Sequence, residues 1–292
     1  MQFYDMPLYR PPSEGRNIIL QATLGCSHNR CTFCSMYVSK EYVARPLADV
    51  FADIAQLSQA YPEGDRIFLA DGDALVRDTD DLLQILAELQ RCFPRLTRVS
   101  SYAMPSNLIR KSAAELELLR DAGLSMLYFG MESGHDPLLK IVRKGATAAM
   151  MREALYKAAS AKMKVSATVI LGLGGVEHWE AHIQDTANLI NSAPVTYLST
   201  LQLGLDPEIK ARFLQRFPAD FKAQDDLGML QEQQTLLSAC SPESPVIFRS
   251  NHASNALPLA GNLPRDKERL IQELLAAQQG ETPLIPTWAR GY

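Results

Sequence analysis

Along the first 205 residues, six short runs rich in β-branched, aromatic and other apolar side chains recur at 18–24, 66–70, 98–103, 126–131, 164–171 and 197–203. Each predicts a strand buried on both faces. Between them apolar positions fall at helical spacing, as in Leu47, Val50, Phe51, Ile54 and Leu57, then Leu82, Ile85, Leu86 and Leu89, which predicts helices laying one face on a sheet. The punctuation agrees: Pro46 suits a first helical position, Ser112 and Glu115 have the spacing of a capping box, and Gly123 stands where a C-terminal glycine belongs. Strand starts are roughly 30 to 50 residues apart, the length of a right-handed parallel crossover unit. The pattern predicts an α/β fold, a partial (β/α)6 TIM-type barrel. A doubly wound open sheet would give the same string of elements, and periodicity alone does not separate the two.

After residue 205 the pattern changes. A polar, helix-prone stretch at 219–240 precedes a proline-rich segment at 241–245, an apolar run at 246–248, a polar segment at 250–255 and a last helix from near Pro264 to before Gly280. The expected division is a barrel at 1–205 and a mostly helical C-terminal extension at 206–292 covering the barrel mouth.

Composition changes this picture little: 47% hydrophobic and 21% charged residues make an ordinary globular balance able to bury a large core. The net charge of −4 supplies no basic field of the kind that gathers nucleic acid, so a small-molecule substrate is expected and a polynucleotide partner is disfavoured. The first ten residues carry Asp5, Pro7 and Arg10 without the apolar centre of a signal peptide, and no run approaches membrane-spanning length. No membrane association and a cytoplasmic location are expected.

Five cysteines, three of them within nine residues, change the picture more. The segment Gly25-Cys26-Ser27-His28-Asn29-Arg30-Cys31-Thr32-Phe33-Cys34 directly follows the first predicted strand. Three thiolates so close can wrap one cubic iron-sulfur cluster, each binding one iron and leaving the fourth iron without a protein ligand. Zinc on Cys26, His28, Cys31 and Cys34 is the alternative. It would join almost no separated chain, whereas structural zinc sites usually tie distant pairs together. Cys92 and Cys240 are isolated and read as small buried or half-buried hydrophobes.

The loop resembles the cysteine motif of the radical S-adenosylmethionine superfamily, with Phe33 as the aromatic residue before the last cysteine. It departs from the common spacing, which has three residues between the first two cysteines, because Ser27 to Arg30 make four. The resemblance implies a 4Fe-4S cluster on Cys26, Cys31 and Cys34, with S-adenosyl-L-methionine at the open iron. It further implies a reduced flavodoxin or ferredoxin as electron donor and a 5′-deoxyadenosyl radical that takes hydrogen from the substrate.

In parallel barrels the site lies at the carboxyl ends of the strands, and this chain is polar there repeatedly. Asp71-Gly72-Asp73-Ala74-Leu75 is similar to the family's segment for the cofactor amino group, with Asp73 in place of glutamate. Glu132 and Ser133 match the pair that contacts the ribose in the branch containing methylthiotransferases, Elongator-type enzymes and coproporphyrinogen dehydrogenases. The stretch that follows resembles the same branch and places Lys144, with Arg143 as fallback, near the cofactor carboxylate. Thr168, Ile170 and Gly172 lie in a segment that looks like the one lining the adenine. For the substrate, Tyr102 and Gln202 at strand ends and the polar group Arg249, Ser250, Asn251, His252, Ser254 and Asn255 in the tail are the candidates, an exposed connector being the alternative for the tail. Nucleic acid modification remains the alternative reaction, and a non-catalytic iron-sulfur or zinc protein the alternative class.

Overall fold

A computed structural model describes residues 4–291. In chain order its first half comprises β1 (Ile18–Gln21), β2 (Thr23–Leu24), β3 (Val43–Ala44), α1 (Leu47–Ala60), β4 (Arg66–Ala70), α2 (Thr79–Cys92), β5 (Arg98–Ala103), α3 (Pro105–Arg110), α4 (Ala113–Asp121) and β6 (Leu124–Glu132). The second comprises α5 (Asp136–Ile141), α6 (Ala148–Ser160), β7 (Lys164–Leu171), α7 (Gly175–Asn191), β8 (Tyr197–Gln202), α8 (Pro207–Leu214), α9 (Asp226–Ala239), β9 (Val246–Ser250), β10 (Leu259–Leu263) and α10 (Lys267–Gln278). Eight strands form one sheet in the order β1-β4-β5-β6-β7-β8-β9-β10, while β2 and β3 make a separate antiparallel pair. Alternating strands and helices with this order make the α/β partial barrel that the hydrophobic pattern predicts.

The chain divides into two compact units. The first takes the described residues of Met1–Asn29, together with Met36–Phe129 and Lys157–Val165. Its parallel ladders run β1 to β4 to β5 to β6, with Ile67, Phe68 and Leu69 of β4 wholly buried. Helix α4 starts as its sequence demands: the Ser112 hydroxyl accepts from the Glu115 amide, and the Glu115 carboxylate accepts from the Ser112 amide. Helix α1 begins one residue later than Pro46 suggested, leaving that proline as its N-cap. The predicted strand at 18–24 is broken after Gln21: the Ala22 amide still bonds the Ala70 carbonyl at 2.8 Å, but Thr23 and Leu24 pair instead with Ala44 and Val43.

The second unit takes Arg30–Ser35, Gly130–Tyr156 and the described residues of Ser166–Tyr292. Here β7 pairs with β8 and β8 with β9, all parallel, and β10 closes antiparallel on β9. The tail therefore extends the sheet as well as supplying α8, α9 and α10. Helix α9 packs on both α7 and α10. Leu138, Val142, Ile170, Leu173 and Phe213 form one buried cluster, joined at its edge by Phe33, Leu203, Phe217 and Phe221. Among the described residues no helix is long and apolar enough to cross a membrane.

Candidate active site

In the first unit the cysteine loop is anchored just before Cys26. Gly25 has φ +67°, and a Cβ there would lie 2.8 Å from the Glu41 carbonyl oxygen, so the turn requires glycine. The Gly25 amide donates to Asp71 Oδ2 at 3.1 Å, and the Gly72 amide returns a bond to the Gly25 carbonyl at 3.1 Å. Asp71 is wholly buried and also accepts from Lys40 Nζ at 2.9 Å and Gln21 Nε2 at 3.1 Å, so its carboxylate is fully occupied with holding the loop. Asp73, two residues on, accepts from the Ser27 hydroxyl on one oxygen and from Asn107 Nδ2 on the other. Burial pushes its pKa up, and those two hydrogen bonds together with Arg110 and His28 pull against that. Tyr102 is half-buried and meets Phe68 edge-on at 5.1 Å and Tyr128 at 6.4 Å.

The second unit holds Cys31, Phe33 and Cys34 beside the end of β6. Thr32 is pinned through its amide to the Val142 carbonyl at 3.0 Å, and Phe33 packs at the edge of the buried apolar cluster. Lys144 Nζ donates to Glu132 Oε1 at 2.9 Å, both side chains being about nine-tenths buried. Burial alone would lower the lysine pKa, yet the Glu132 carboxylate, with the sulfurs of Cys31 and Cys34, holds it above the ordinary lysine value. A buried cation therefore lies within electrostatic reach of two cysteine sulfurs. Gly130 makes room for this pair, since a Cβ there would collide with Glu132 Oε1 and stand 2.7 Å from Lys144 Nζ. Glu132 itself is a non-glycine residue at φ +63°, a strained conformation of the kind found at functional positions. Arg143 is exposed.

Ser133 is wholly buried, and its hydroxyl lies 2.8 Å from His182 Nδ1 while accepting from the His135 amide at 3.0 Å. His182 Nε2 donates to the Ile170 carbonyl at 3.0 Å, which fixes the tautomer: Nδ1 accepts from Ser133. Burial lowers the His182 pKa to about 4, so the ring is neutral at neutral pH. His182 links the expected ribose-contacting residue to the expected adenine-lining strand. Nothing in the sequence marks it apart from other histidines on amphipathic helices. Two residues beyond Ile170, Gly172 adopts φ +79° and its amide donates to Glu232 Oε2 of α9 at 2.6 Å. Glu232 is wholly buried, its Oε1 has no hydrogen-bond partner, and burial raises its pKa to about 7. Thr168 is half-buried on β7, opposite Ser199.

The remaining substrate candidates fall into two groups. Gln202 and Asn255 are buried and bonded to each other's surroundings: the Gln202 amide donates to Asn255 Oδ1 at 2.8 Å, and Gln202 Oε1 accepts from the Ala256 amide at 2.9 Å. Asn255 Nδ2 also reaches the Thr200 carbonyl and Ser250 Oγ, at 2.8 and 2.9 Å, so it ties the ends of β8 and β9 together. Asn251 is exposed; His252 is half-buried, its Nδ1 accepting from Ser254. Among the described residues no three His, Cys, Asp or Glu side chains surround a single-ion position. A cubic cluster makes a different demand, because each thiolate binds its own iron.

Known proteins resemble the chain both in sequence and in fold. A tRNA-2-methylthio-N(6)-dimethylallyladenosine synthase of Hahella chejuensis is 26% identical over 236 residues, covering 76% of this chain and 51% of that protein. The enzyme of the same name from Alkalilimnicola ehrlichii is 30% identical over 197 residues, 63% of this chain and 42% of that one. The chain thus spans about half the length, or less, of these relatives. Among solved structures, coproporphyrinogen III oxidase from Escherichia coli superposes with a TM-score of 0.56 at 18% identity, over 76% of this chain and 52% of that one. Methylornithine synthase gives 0.55 at 12% identity, over 88% and 68%. The profile of the Radical SAM superfamily matches residues 20–190, more than half of the chain, and the chain belongs to that superfamily.

Proposed function

We propose that this chain is a radical S-adenosylmethionine enzyme holding a 4Fe-4S cluster on Cys26, Cys31 and Cys34. The observation that carries the reading is the buried Lys144 ammonium, paired with Glu132 and set against the sulfurs of Cys31 and Cys34. A desolvated cation beside soft thiolate donors fits an anionic cluster and the carboxylate of a bound amino acid, and fits a neutral structural loop poorly. When bound, the cluster supplies the electron that splits the sulfonium of S-adenosylmethionine into methionine and a 5′-deoxyadenosyl radical, which removes hydrogen from the substrate.

The chain's own residues bind and orient. Asp73 is assigned to the cofactor amino group, its carboxylate steered by Ser27 and Asn107. Lys144 is assigned to the cofactor carboxylate, and Glu132 with Ser133 to the ribose edge. Thr168, Ile170 and Gly172 line the adenine, and Phe33 shields the loop. Residues 1–205 carry this machinery and residues 206–292 cover the substrate side, where Tyr102, Gln202, Asn251 and His252 are assigned. Reduced flavodoxin or ferredoxin delivers the electron, in the cytoplasm.

For the substrate, a small metabolite suits the net charge of −4. An RNA is the second reading, favoured by relatives named for a transfer-RNA product. Anaerobic reconstitution with iron and sulfide, then dithionite and S-adenosylmethionine, should give iron-dependent absorbance and 5′-deoxyadenosine in the wild type and neither in Cys31→Ala. A wild type that binds no iron, or that binds it and yields no 5′-deoxyadenosine, defeats the proposal. Adding total transfer RNA or a small-metabolite extract separates the substrate readings by which one accelerates turnover.

A further inference from the structure

The helix that follows the sixth parallel strand reaches back to the cysteine loop. Arg212 of α8 donates from Nη2 to the carbonyl oxygens of both Cys31 and Cys34, at 3.1 Å each, across 181 and 178 residues of sequence. Its helix is fixed at two further points. The Ser35 hydroxyl, next to Cys34, donates to Asp206 at the N-cap of α8, and Phe213, next to Arg212, is wholly buried in the cluster that Phe33 adjoins. The guanidinium is therefore held in place rather than free to swing into solvent.

Two features set this contact apart from an ordinary loop staple. Arg212 Nε is buried without a hydrogen-bond partner, a cost that persists only where other interactions hold the side chain in position. The acceptors of Nη2 are neutral carbonyls, so these two hydrogen bonds bring a positive charge to the backbone of two cysteines without neutralising it. Reduction of a cluster adds a negative charge, and a fixed cation close by favours the reduced state.

We propose that Arg212 is a positioning residue of the cluster: it fixes the Cys31 and Cys34 backbone and raises the reduction potential of the group those cysteines bind. The inference rests on the iron-sulfur reading above. Its test is a redox titration of the anaerobically reconstituted full-length protein, followed by electron paramagnetic resonance, with iron and sulfide content measured alongside. Arg212→Gln should retain the cluster and show a roughly tenfold lower reduced-to-oxidised ratio at fixed poise, which for one electron is about 59 mV. Arg212→Lys, which keeps the charge, should stay near the wild-type ratio. Ser35→Ala, which loosens the helix without changing charge, should also keep it.

A fully loaded Arg212→Gln protein with the wild-type potential overturns the proposal. Should Arg212→Gln lose its iron, Arg212→Lys decides. A cluster kept at the wild-type potential supports the assignment, and loss of iron there as well overturns it. A wild type that takes up no cluster defeats the functional reading instead, so the two failures are distinguishable.

Discussion

The end of β7 is gripped by two buried titratable groups that respond to pH in opposite directions. Glu232 accepts from the Gly172 amide with its pKa raised by burial from 4.5 to about 7. A carboxylate with a raised folded-state pKa contributes stability that is complete below about 4.5 and lost as pH rises through about 7. His182 donates to the Ile170 carbonyl with its pKa lowered by burial from 6.5 to about 4. A histidine with a depressed folded-state pKa contributes stability that is complete above about 6.5 and lost as pH falls through about 4. Each displacement is about 2.5 units, or roughly 3 kcal/mol at the limit. Between pH 4.5 and 6.5 the two slopes cancel, so the wild type should show little pH dependence from this strand end.

Single substitutions expose each slope. In Glu232→Gln, stability measured by urea unfolding should climb by roughly 3 kcal/mol relative to wild type as pH rises from 4 to 7. In His182→Asn it should fall by a similar amount over the same range, on top of a constant loss from the missing bond to Ile170. All other titrating groups are common to the three proteins and drop out of the differences. If Glu232→Gln and wild type keep parallel profiles from pH 4 to 8, Glu232 is not the buried acid described here.

Lys144→Met should destabilise the cluster-free protein by about 3 to 5 kcal/mol in urea, because it strands the Glu132 carboxylate. Adding Glu132→Gln should restore most of that loss, and two additive effects would show that the residues are not coupled. Gly130→Ala should push the same pair apart and weaken S-adenosylmethionine binding at least tenfold by calorimetry; unchanged affinity would free the pair from any part in binding. A chain ending at residue 205 should be insoluble or molten by circular dichroism, since it lacks Phe213, Arg212 and Glu232. A truncated chain with a sharp unfolding transition would show that the extension is dispensable to the fold.

The parallel strands were legible because burial on both faces leaves continuous apolar runs: 66–70, 98–103 and 164–171 match β4, β5 and β7 residue for residue. The β10 strand was not, because Leu259, Ala260, Gly261, Asn262 and Leu263 bury only alternate positions and include a glycine. Helix α8 has just eight residues, with its start marked only by Asp206 and Pro207. Of the candidate site, the cysteines and the polar residues Asp73, Glu132 and Lys144 stood out in the sequence. The side chains that orient them did not. Asn107 reaches Asp73 across 34 residues, His182 reaches Ser133 across 49 and Glu232 reaches Gly172 across 60. Such partners are ordinary residues on ordinary helices, and only the folded chain brings them to the motif.

That distribution bears on what the extension is for. Within the second unit, α8 touches the cysteine loop through Arg212 and through its N-cap Asp206, which meets Ser35, α9 touches the end of β7 through Glu232, and Asn255 ties β8 to β9. A lid that opens for substrate exposes polar groups able to bond water in either state; here the bonds go to buried backbone and to a buried carboxyl group. Detaching α9 would uncover Leu230, Leu236 and Leu237, all about 1% exposed or less, and would cost far more than thermal motion supplies. The parts of the tail able to move for a substrate are the less buried ones, the turn carrying Asn251 and His252. Under the proposed function, substrate choice is assigned to a short loop on a rigid support, and the helices behind it to support of the cofactor site.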